Sequence, residues 1–240
     1  MSTPGDPAAS YHCQHAWLGG AGAGSAVLAD VAVAVELASG RITAVEQRPP
    51  RPGDVRLAGL TLPGFANAHS HAFHRALRGV VQAGRGDFWS WRDTMYEVAA
   101  ALDPGSYHRL ALATYAEMAL SGYTAVGEFH YVNPQAGGRP YADPNEMGRA
   151  LLAAAADAGL RITLLDTCYL ASGPGQPPAG VQERFSDGSA ARWADRVEAM
   201  GLVAASGDGD GGLPAARGAL DHGRGRDWHL DGHPRIAVAV

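Results

Sequence analysis

The sequence predicts an α/β protein in which a small β-rich subdomain precedes a mainly parallel sheet flanked by helices. Residues 11–56 carry short apolar runs between turns rich in glycine and proline, which is typical of short strands. From about residue 59 onward, strand-like and helix-like segments alternate, and this rhythm predicts βα units with right-handed crossovers. We therefore assign residues 1–58 to the β-rich subdomain and residues 59–240 to the sheet with its helices.

The N-terminal subdomain contains three candidate strands, centred on Ala16–Leu18, Val31–Val35 and Ile42–Val45. Prolines crowd the next segment, Gln47–Asp54, which predicts a stiff connection because proline cannot pair inside a central strand. Short strands joined in this way favour a small sandwich-like subdomain.

Start and stop signals locate two helices after residue 80. The first is predicted within Phe88–Leu102. The second begins at the N-cap Asp103 with Pro104 in its first turn, and Gly122 ends it. Its apolar face carries Tyr107, Leu110, Ala111, Tyr115 and Met118.

Similar helix start and stop signals recur later in the chain. Asp143 and Glu146 have the spacing of a capping box, which predicts a helix that runs to Gly159. A further helix is predicted over Ser189–Met200, followed by a loose loop over Gly201–Pro234 that is rich in glycine and aspartate.

Four strand-like segments alternate with these helices: Leu60–Leu62 leading into Phe65, Tyr123–Phe129, Leu160–Tyr169 and Arg235–Val240. A complete (β/α)8 TIM barrel has eight strands and needs roughly 250 residues of its own. About four βα units therefore indicate the N-terminal half of such a barrel. A four-stranded doubly wound sheet is the competing interpretation, although the glycine-rich phosphate loop that usually accompanies it is missing.

Composition excludes several classes of protein. The 240 residues are 46% hydrophobic, which is enough for a sizeable core. The net charge of -5, with no run of lysine and arginine, argues against nucleic acid as a binding partner. The two cysteines, Cys13 and Cys168, suggest neither a disulfide framework nor a cysteine zinc site. We find no signal peptide and no membrane span, so we expect a cytoplasmic protein that does not bind a membrane. A homodimer stays open as its assembly.

The strongest local signal is a histidine cluster within Gly64–His74. On an extended segment His69 and His71 project to one side while Ser70 points to the other. Neutral imidazole binds zinc well, and a catalytic zinc keeps one position open for water. The pair follows a Pro-Gly turn at the predicted C-terminal end of the first barrel strand, where barrel active sites lie, and this predicts a metal site.

Several blocks carry a resemblance to a known family. Pro-Gly-Phe-x-Asn-x-His-Ser-His resembles the first-strand signature of the amidohydrolase superfamily, and Ala-Phe-His-Arg-Ala-Leu-Arg-Gly at residues 72–79 is similar to formimidoylglutamate deiminases. Further blocks agree with the same family: residues 87–92 with Met95 and Tyr96, residues 122–131, residues 141–144 and residues 164–169.

The resemblance implies a zinc-dependent hydrolase of linear amidines that acts in histidine degradation. In this family a metal-bound hydroxide attacks the formimidoyl carbon of N-formimidoyl-L-glutamate, and ammonia and N-formyl-L-glutamate result. His69 and His71 would be two ligands of the one divalent metal in a complete active site. Arg92 and Tyr131 match positions that hold the substrate's carboxylate end, and His74 stands where relatives contact substrate.

Each assignment has a simpler alternative. Arg92 could pair with a surface acid, and Tyr131 could be a half-buried aromatic at the barrel mouth. Glu128 and His130 are expected to pack or to support the site, although His130 is also the one candidate for a compensating metal ligand. The remaining histidines are expected to face solvent: His12, His15, His108, His222, His229 and His233.

The resemblance also implies that further ligands and the catalytic acid or base lie beyond Val240, because residues 234–240 resemble the fourth barrel strand. We therefore expect an incomplete or inactive fragment. Two other interpretations stay open. One is an amidohydrolase-type deaminase of ring amidines, against which the Trp-Ser-Trp-Arg block ending at Arg92 argues; the other is a non-catalytic remnant that binds a partner through an exposed sheet edge.

Overall fold

The computed structural model describes residues 8–19, 27–37, 40–81, 86–205 and 235–239, the last five and residues 201–205 by their backbone. Contacts divide the chain into two units, the first ending at Gly64 and the second beginning at Phe65. In the described part, no helix is both long and apolar enough to cross a membrane.

The first unit is a four-stranded sheet in the order β3-β2-β1-β4. Its strands are β1 (Ala8–Trp17), β2 (Val27–Glu36), β3 (Arg41–Gln47) and β4 (Val55–Thr61). The first three pair antiparallel, as their short connections allow, and β4 runs parallel to β1. Leu60 and Thr61, which were predicted to lead into the barrel, pair with β1 in this sheet instead.

A small core and an ion pair with the buried carboxylate of Asp54 help to hold this unit together. Cys13, Ala16 and Val31 are buried between the strands. The proline-rich connection is fastened by Arg48, whose guanidinium donates to both carboxylate oxygens of Asp54 at 2.8 and 3.0 Å. Hydrogen bonds from Arg48 and from Ser10 hold the pKa of Asp54 well below its usual range.

The second unit contains a parallel sheet in sequential order, formed by β5 (Phe65–Ser70), β6 (Tyr123–His130), β7 (Arg161–Thr167) and β8 (Arg235–Ala239). The connections hold α1 (Phe88–Ala101), α2 (Pro104–Leu120), α3 (Glu146–Ala158), α4 (Ala190–Ala205) and short 3-10 helices at Ala72–Leu77 and Gly180–Phe185. The predicted α/β class and the parallel pairing are confirmed.

Two of the helices begin at strong caps. Asp87 and Asp103 accept from the backbone N–H groups of Ser90 and Ser106, which close capping boxes at α1 and α2. The predicted cap of α3 was wrong. Its N-cap is Asn145, and the Asp143 carboxylate accepts from the Asn145 N–H at 2.9 Å in the turn before it.

Two other helix ends can be compared with their predictions. Helix α3 ends at Gly159, which has the left-handed φ of 74° that favours glycine. Helix α4 continues to Ala205, so residues 201–205 are helical where a loop was predicted. The rest of that predicted loop, residues 206–234, lies outside the described residues.

Alternation along the strands gives the sheet two different faces. On β6 the side chains of Val126, Glu128 and His130 are buried, and those between them are half-buried. The buried set packs in the same core as α2 and α3, to which Tyr107 and Leu151 contribute. We call this side the helix face and the opposite side, which carries Phe129, the site face.

Candidate active site

The site face holds the two predicted metal ligands close together. Nε2 of His69 lies 3.1 Å from Nε2 of His71. Two nitrogens bound to one zinc at about 2.0–2.1 Å with tetrahedral angles lie roughly 3.3 Å apart, so the pair fits two positions of one metal ion. The same separation also suits a hydrogen bond between neutral imidazoles, in which one ring donates and the other accepts.

The local fold explains this convergence. His69 is the last residue but one of β5, and His71 follows the strand directly, before the 3-10 helix begins. Ser70 between them is buried, as the predicted alternation requires. Burial lowers the pKa of His71, and the neighbouring His69 lowers it further. A neutral imidazole, the form that binds a metal, is therefore favoured.

The described residues supply a pair of ligands and no more. They contain no group of three or more histidine, cysteine, aspartate or glutamate side chains that could hold a metal ion. Structural and catalytic zinc sites use three or four protein ligands. His69 and His71 therefore fit part of a zinc shell, and the described residues do not complete it.

His74 and Tyr131 extend the cluster away from the pair. The His74 ring stacks on His71 with 4.6 Å between centroids, and its Nε2 lies 3.1 Å from the Tyr131 hydroxyl. Burial lowers the pKa of His74 to about 4 and raises the pKa of Tyr131 above its usual range. A neutral His74 can accept a hydrogen bond from the Tyr131 hydroxyl, which fixes the direction of that hydroxyl.

Arg92 is connected to this cluster through aromatic side chains. Its guanidinium lies over the rings of Trp89 and Tyr96, at 4.6 and 5.4 Å from their centroids. It also donates to Asp93 at 3.2 Å, the surface pairing that was considered as an alternative. Phe185 contacts both Tyr96 and Tyr131 and so connects the two parts of the site.

Glu128 and His130 do not belong to the metal pair. Both are fully buried on the helix face, where Nε2 of His130 lies against Gly148 of α3. The suggestion that His130 could serve as a compensating ligand was wrong, because Phe129 and Tyr131, not His130, share the face of the pair. Burial lowers the pKa of His130 to about 4, while Asp166 opposes the fall.

Sequence reasoning missed several aromatic contacts. Phe129 touches both His69 and His71, Trp91 packs on His74, and Phe185 packs on Tyr131. The position of Phe129, two residues before Tyr131, was an available signal for a shared face. Phe185 had no such signal, because it ends the 3-10 helix Gly180–Phe185, which lies far along the chain.

The other histidines were expected to face solvent. His15 is exposed and His108 pairs with Asp157 at 2.9 Å. The expectation was wrong for His12, which is only 4% exposed and whose Nε2 lies 3.1 Å from the Arg48 carbonyl. His222, His229 and His233 lie outside the described residues.

Comparison with known proteins identifies relatives of this chain. Formimidoylglutamate deiminase of Pseudomonas aeruginosa is 45% identical over 143 residues, which cover 58% of this chain and 32% of that protein. A crystal structure of an amidohydrolase from Brucella melitensis has a TM-score of 0.73 and 34% identity, and the match covers 81% of this chain and 42% of that one.

A more distant likeness supports the fold. Atrazine chlorohydrolase TrzN from Arthrobacter aurescens, solved in complex with zinc, has a TM-score of 0.65 at 19% identity. The match covers 95% of this chain and 46% of that one. The chain thus spans about a third of the length of the curated deiminase and less than half of these solved structures.

The Amidohydrolase family pattern matches residues 60–220, which is more than half of the chain and includes the whole histidine cluster. The matched region begins just before β5 and runs past α4, so it contains the parallel sheet from β5 to β7 and its helices. The chain therefore belongs to the amidohydrolase family.

Proposed function

We propose that this chain contributes the N-terminal half of a (β/α)8 barrel that hydrolyses N-formimidoyl-L-glutamate to N-formyl-L-glutamate and ammonia. The single observation that carries the proposal is the convergence of Nε2 of His69 and His71 at 3.1 Å. The 45% identity to a curated formimidoylglutamate deiminase supports the choice of substrate.

The metal we propose is zinc, held in part by His69 and His71. When bound, zinc would lower the pKa of a water molecule to about 7 and so supply a nucleophile at neutral pH. His71 contributes by staying neutral, since burial lowers its pKa. Phe129 packs on both rings and limits their rotation.

Arg92 and Tyr131 are proposed to bind the carboxylate end of the substrate. The Arg92 guanidinium lies over the rings of Trp89 and Tyr96. A planar guanidinium held by its face can offer the N–H groups of its edge to a carboxylate in a bidentate contact. Its partner Asp93 is 65% exposed, so a substrate carboxylate can compete with it at little cost. The Tyr131 hydroxyl, aligned by His74, adds a hydrogen bond.

The test compares the 240-residue chain with a chimera in which the remaining part of the Pseudomonas aeruginosa deiminase follows β8. With two metal ligands among the described residues, the chain alone is expected to bind zinc weakly and to release no ammonia. The chimera is expected to release ammonia from N-formimidoyl-L-glutamate. A folded, zinc-loaded chimera without turnover would refute the proposal.

Substrate capture is tested in the same chimera with Arg92→Ala. Loss of a charge-assisted bidentate contact costs about 1.5–3 kcal/mol, so kcat/KM is expected to fall roughly tenfold to a hundredfold. The matched control is Arg109→Ala, which removes an exposed arginine of α2. If both variants keep the parent kcat/KM, Arg92 is not a substrate residue.

A second candidate is deamination of a ring amidine. The 8-oxoguanine deaminase of Pseudomonas aeruginosa is 31% identical over 75 residues, which cover 31% of this chain. The aromatic walls formed by Trp91, Phe129 and Tyr131 would also suit a flat ring. Turnover of 8-oxoguanine but not of N-formimidoyl-L-glutamate by the chimera would select this candidate.

A further inference from the structure

We infer that Glu128 is a positioning residue that fixes the His69–His71 separation from the neighbouring strand. The inference rests on the proposed function, since it assigns that separation a metal-binding role. Glu128 lies on the helix face of β6, and its Oε1 accepts a hydrogen bond of 2.6 Å from the backbone N–H of Ala72. Ala72 is the residue that directly follows His71.

The hydrogen bond is shielded and has few competitors. Glu128 and Ala72 are both 0% exposed, so water does not replace the contact. The Ala72 carbonyl is approached from α2 by the Thr114 hydroxyl, which lies 3.4 Å away and also donates to Leu110 at 2.9 Å. Ala72 thus has its N–H bonded to Glu128 and its carbonyl oxygen beside the Thr114 hydroxyl.

The residue before the pair is fixed by the same stretch of β6. A Cβ built on Gly127 would lie 2.9 Å from the carbonyl oxygen of Ala68, so the backbone of β5 approaches β6 as closely as glycine allows. The strand register is also irregular between Asn67 and Ser70, where Ser70 pairs with Glu128. Gly127 and Glu128 therefore contact the chain on both sides of His69 and His71, at Ala68 and at Ala72.

Burying a carboxylate costs free energy unless hydrogen bonds or an opposite charge compensate it. Burial raises the pKa of Glu128 to about 7, while the Ala72 N–H and the nearby Ser70 and Tyr115 hydroxyls oppose the rise. An apolar side chain would pack in this core at lower cost. The carboxylate is explained by the backbone donor it satisfies, which lies next to a metal ligand.

The experiment uses the 240-residue chain, labelled with nitrogen-15, and two readouts. Long-range spectra of the imidazole nitrogens without metal report whether His69 and His71 remain paired. Titration with Zn²⁺ reports affinity. In Glu128→Ala we expect the paired imidazole signals to be lost and Zn²⁺ binding to weaken about tenfold to a hundredfold.

Two further variants separate positioning from general stability. Glu128→Gln keeps a carbonyl oxygen that can accept from Ala72, so pairing and affinity should be retained. Glu97→Ala, at an exposed position of α1, is the matched control and should change neither readout. If Glu128→Ala fails to fold, Glu128→Asp withdraws the carboxylate by one methylene and takes its place.

The outcomes distinguish this inference from the proposed function. If the parent chain shows paired imidazoles without Zn²⁺ affinity, and Glu128→Ala loses the pairing, positioning stands and the metal assignment fails. If a folded Glu128→Ala or Glu128→Asp keeps the parent signals and affinity, the inference is overturned. It is overturned equally if the parent chain has neither pairing nor affinity.

Discussion

The two faces of the parallel sheet carry the same kinds of side chain but use them in opposite ways. On the helix face His130 is fully buried and its ring nitrogens have no hydrogen-bond partner among the described residues. On the site face His69 is exposed and meets His71. Position along the strand, and not residue type, decides whether a histidine here can bind a ligand.

Strand position also decides the role of a carboxylate, as Asp166 shows. Asp166, at the end of β7, is 0% exposed on the helix face and receives two hydrogen bonds from Arg196 at 2.7 and 2.8 Å. Arg196 also donates to Asp187 at 2.8 and 2.9 Å. Burial works against the charge of Arg196, yet the hydrogen bonds that it donates to these two aspartates raise its pKa.

The largest effect should come from breaking this buried network. Arg196→Ala leaves Asp166 buried without its cation, which typically costs about 3–5 kcal/mol of unfolding free energy. The control is Arg149→Ala, which breaks the half-exposed pair with Asp143 and should cost no more than about 1 kcal/mol. Urea unfolding measures both. Equal losses would mean that the helix face is not the stabilising side.

A second prediction concerns the pH dependence of stability, because burial shifts the pKa values of two groups on the helix face in opposite directions. The pKa of His130 falls from 6.5 to about 4 on burial, so its contribution to stability is present above pH 6.5 and is lost as the pH falls toward 4. The pKa of Glu128 rises from 4.5 to about 7, so its contribution is present below pH 4.5 and is lost as the pH rises toward 7.

Between pH 4.5 and pH 6.5 these contributions offset each other in the parent chain, and single variants should separate them. Relative to the parent, His130→Phe should gain stability as the pH falls, and Glu128→Gln should gain stability as the pH rises. Each relative change should reach about 3 kcal/mol at most, at 1.36 kcal/mol per pKa unit. Urea unfolding across this range measures them. Parallel slopes would contradict the assigned directions.

Local signals were sufficient for most of the fold. The Asp103–Pro104 pair located α2, and Gly159 located the end of α3, because caps and turns depend on neighbouring residues. Asp143 misled the prediction of α3, since its carboxylate forms a turn with Asn145 instead of capping the helix. The side chain of Asn145 is engaged with Arg196 of α4, a partner that local spacing does not reveal.

For the candidate site, strand alternation predicted which histidines share a face, and the pair His69 and His71 follows from it. Alternation applied to His130 would have excluded it as a ligand, since Phe129 and Tyr131 occupy the site face of the same strand end. The hydrogen bond from Ala72 to Glu128 spans 56 positions of sequence and joins the 3-10 helix after β5 to strand β6. Contacts of this kind depend on tertiary packing, so the sequence pattern does not predict them.

The last prediction concerns the site face, where the small size of Gly127 lets β5 and β6 approach closely. In Gly127→Ala the new Cβ would lie 2.9 Å from the backbone oxygen of Ala68, which cannot rotate away, so β5 must shift. Such overpacking typically costs about 1–3 kcal/mol. The control is Gly173→Ala, at a position with nothing within 4 Å and no left-handed φ, where the change should be neutral or stabilise by up to about 1 kcal/mol.

Unlike Arg196→Ala and His130→Phe, Gly127→Ala should also disturb the imidazole signals of His69 and His71, because the shift moves the residue next to His69. Urea unfolding together with nitrogen-15 spectra of both glycine variants measures this. If Gly127→Ala lowers stability but leaves the two imidazole signals unchanged, the close approach of β5 and β6 serves packing alone. The separation of the histidine pair would then depend on the contact between Ala72 and Glu128 on its other side.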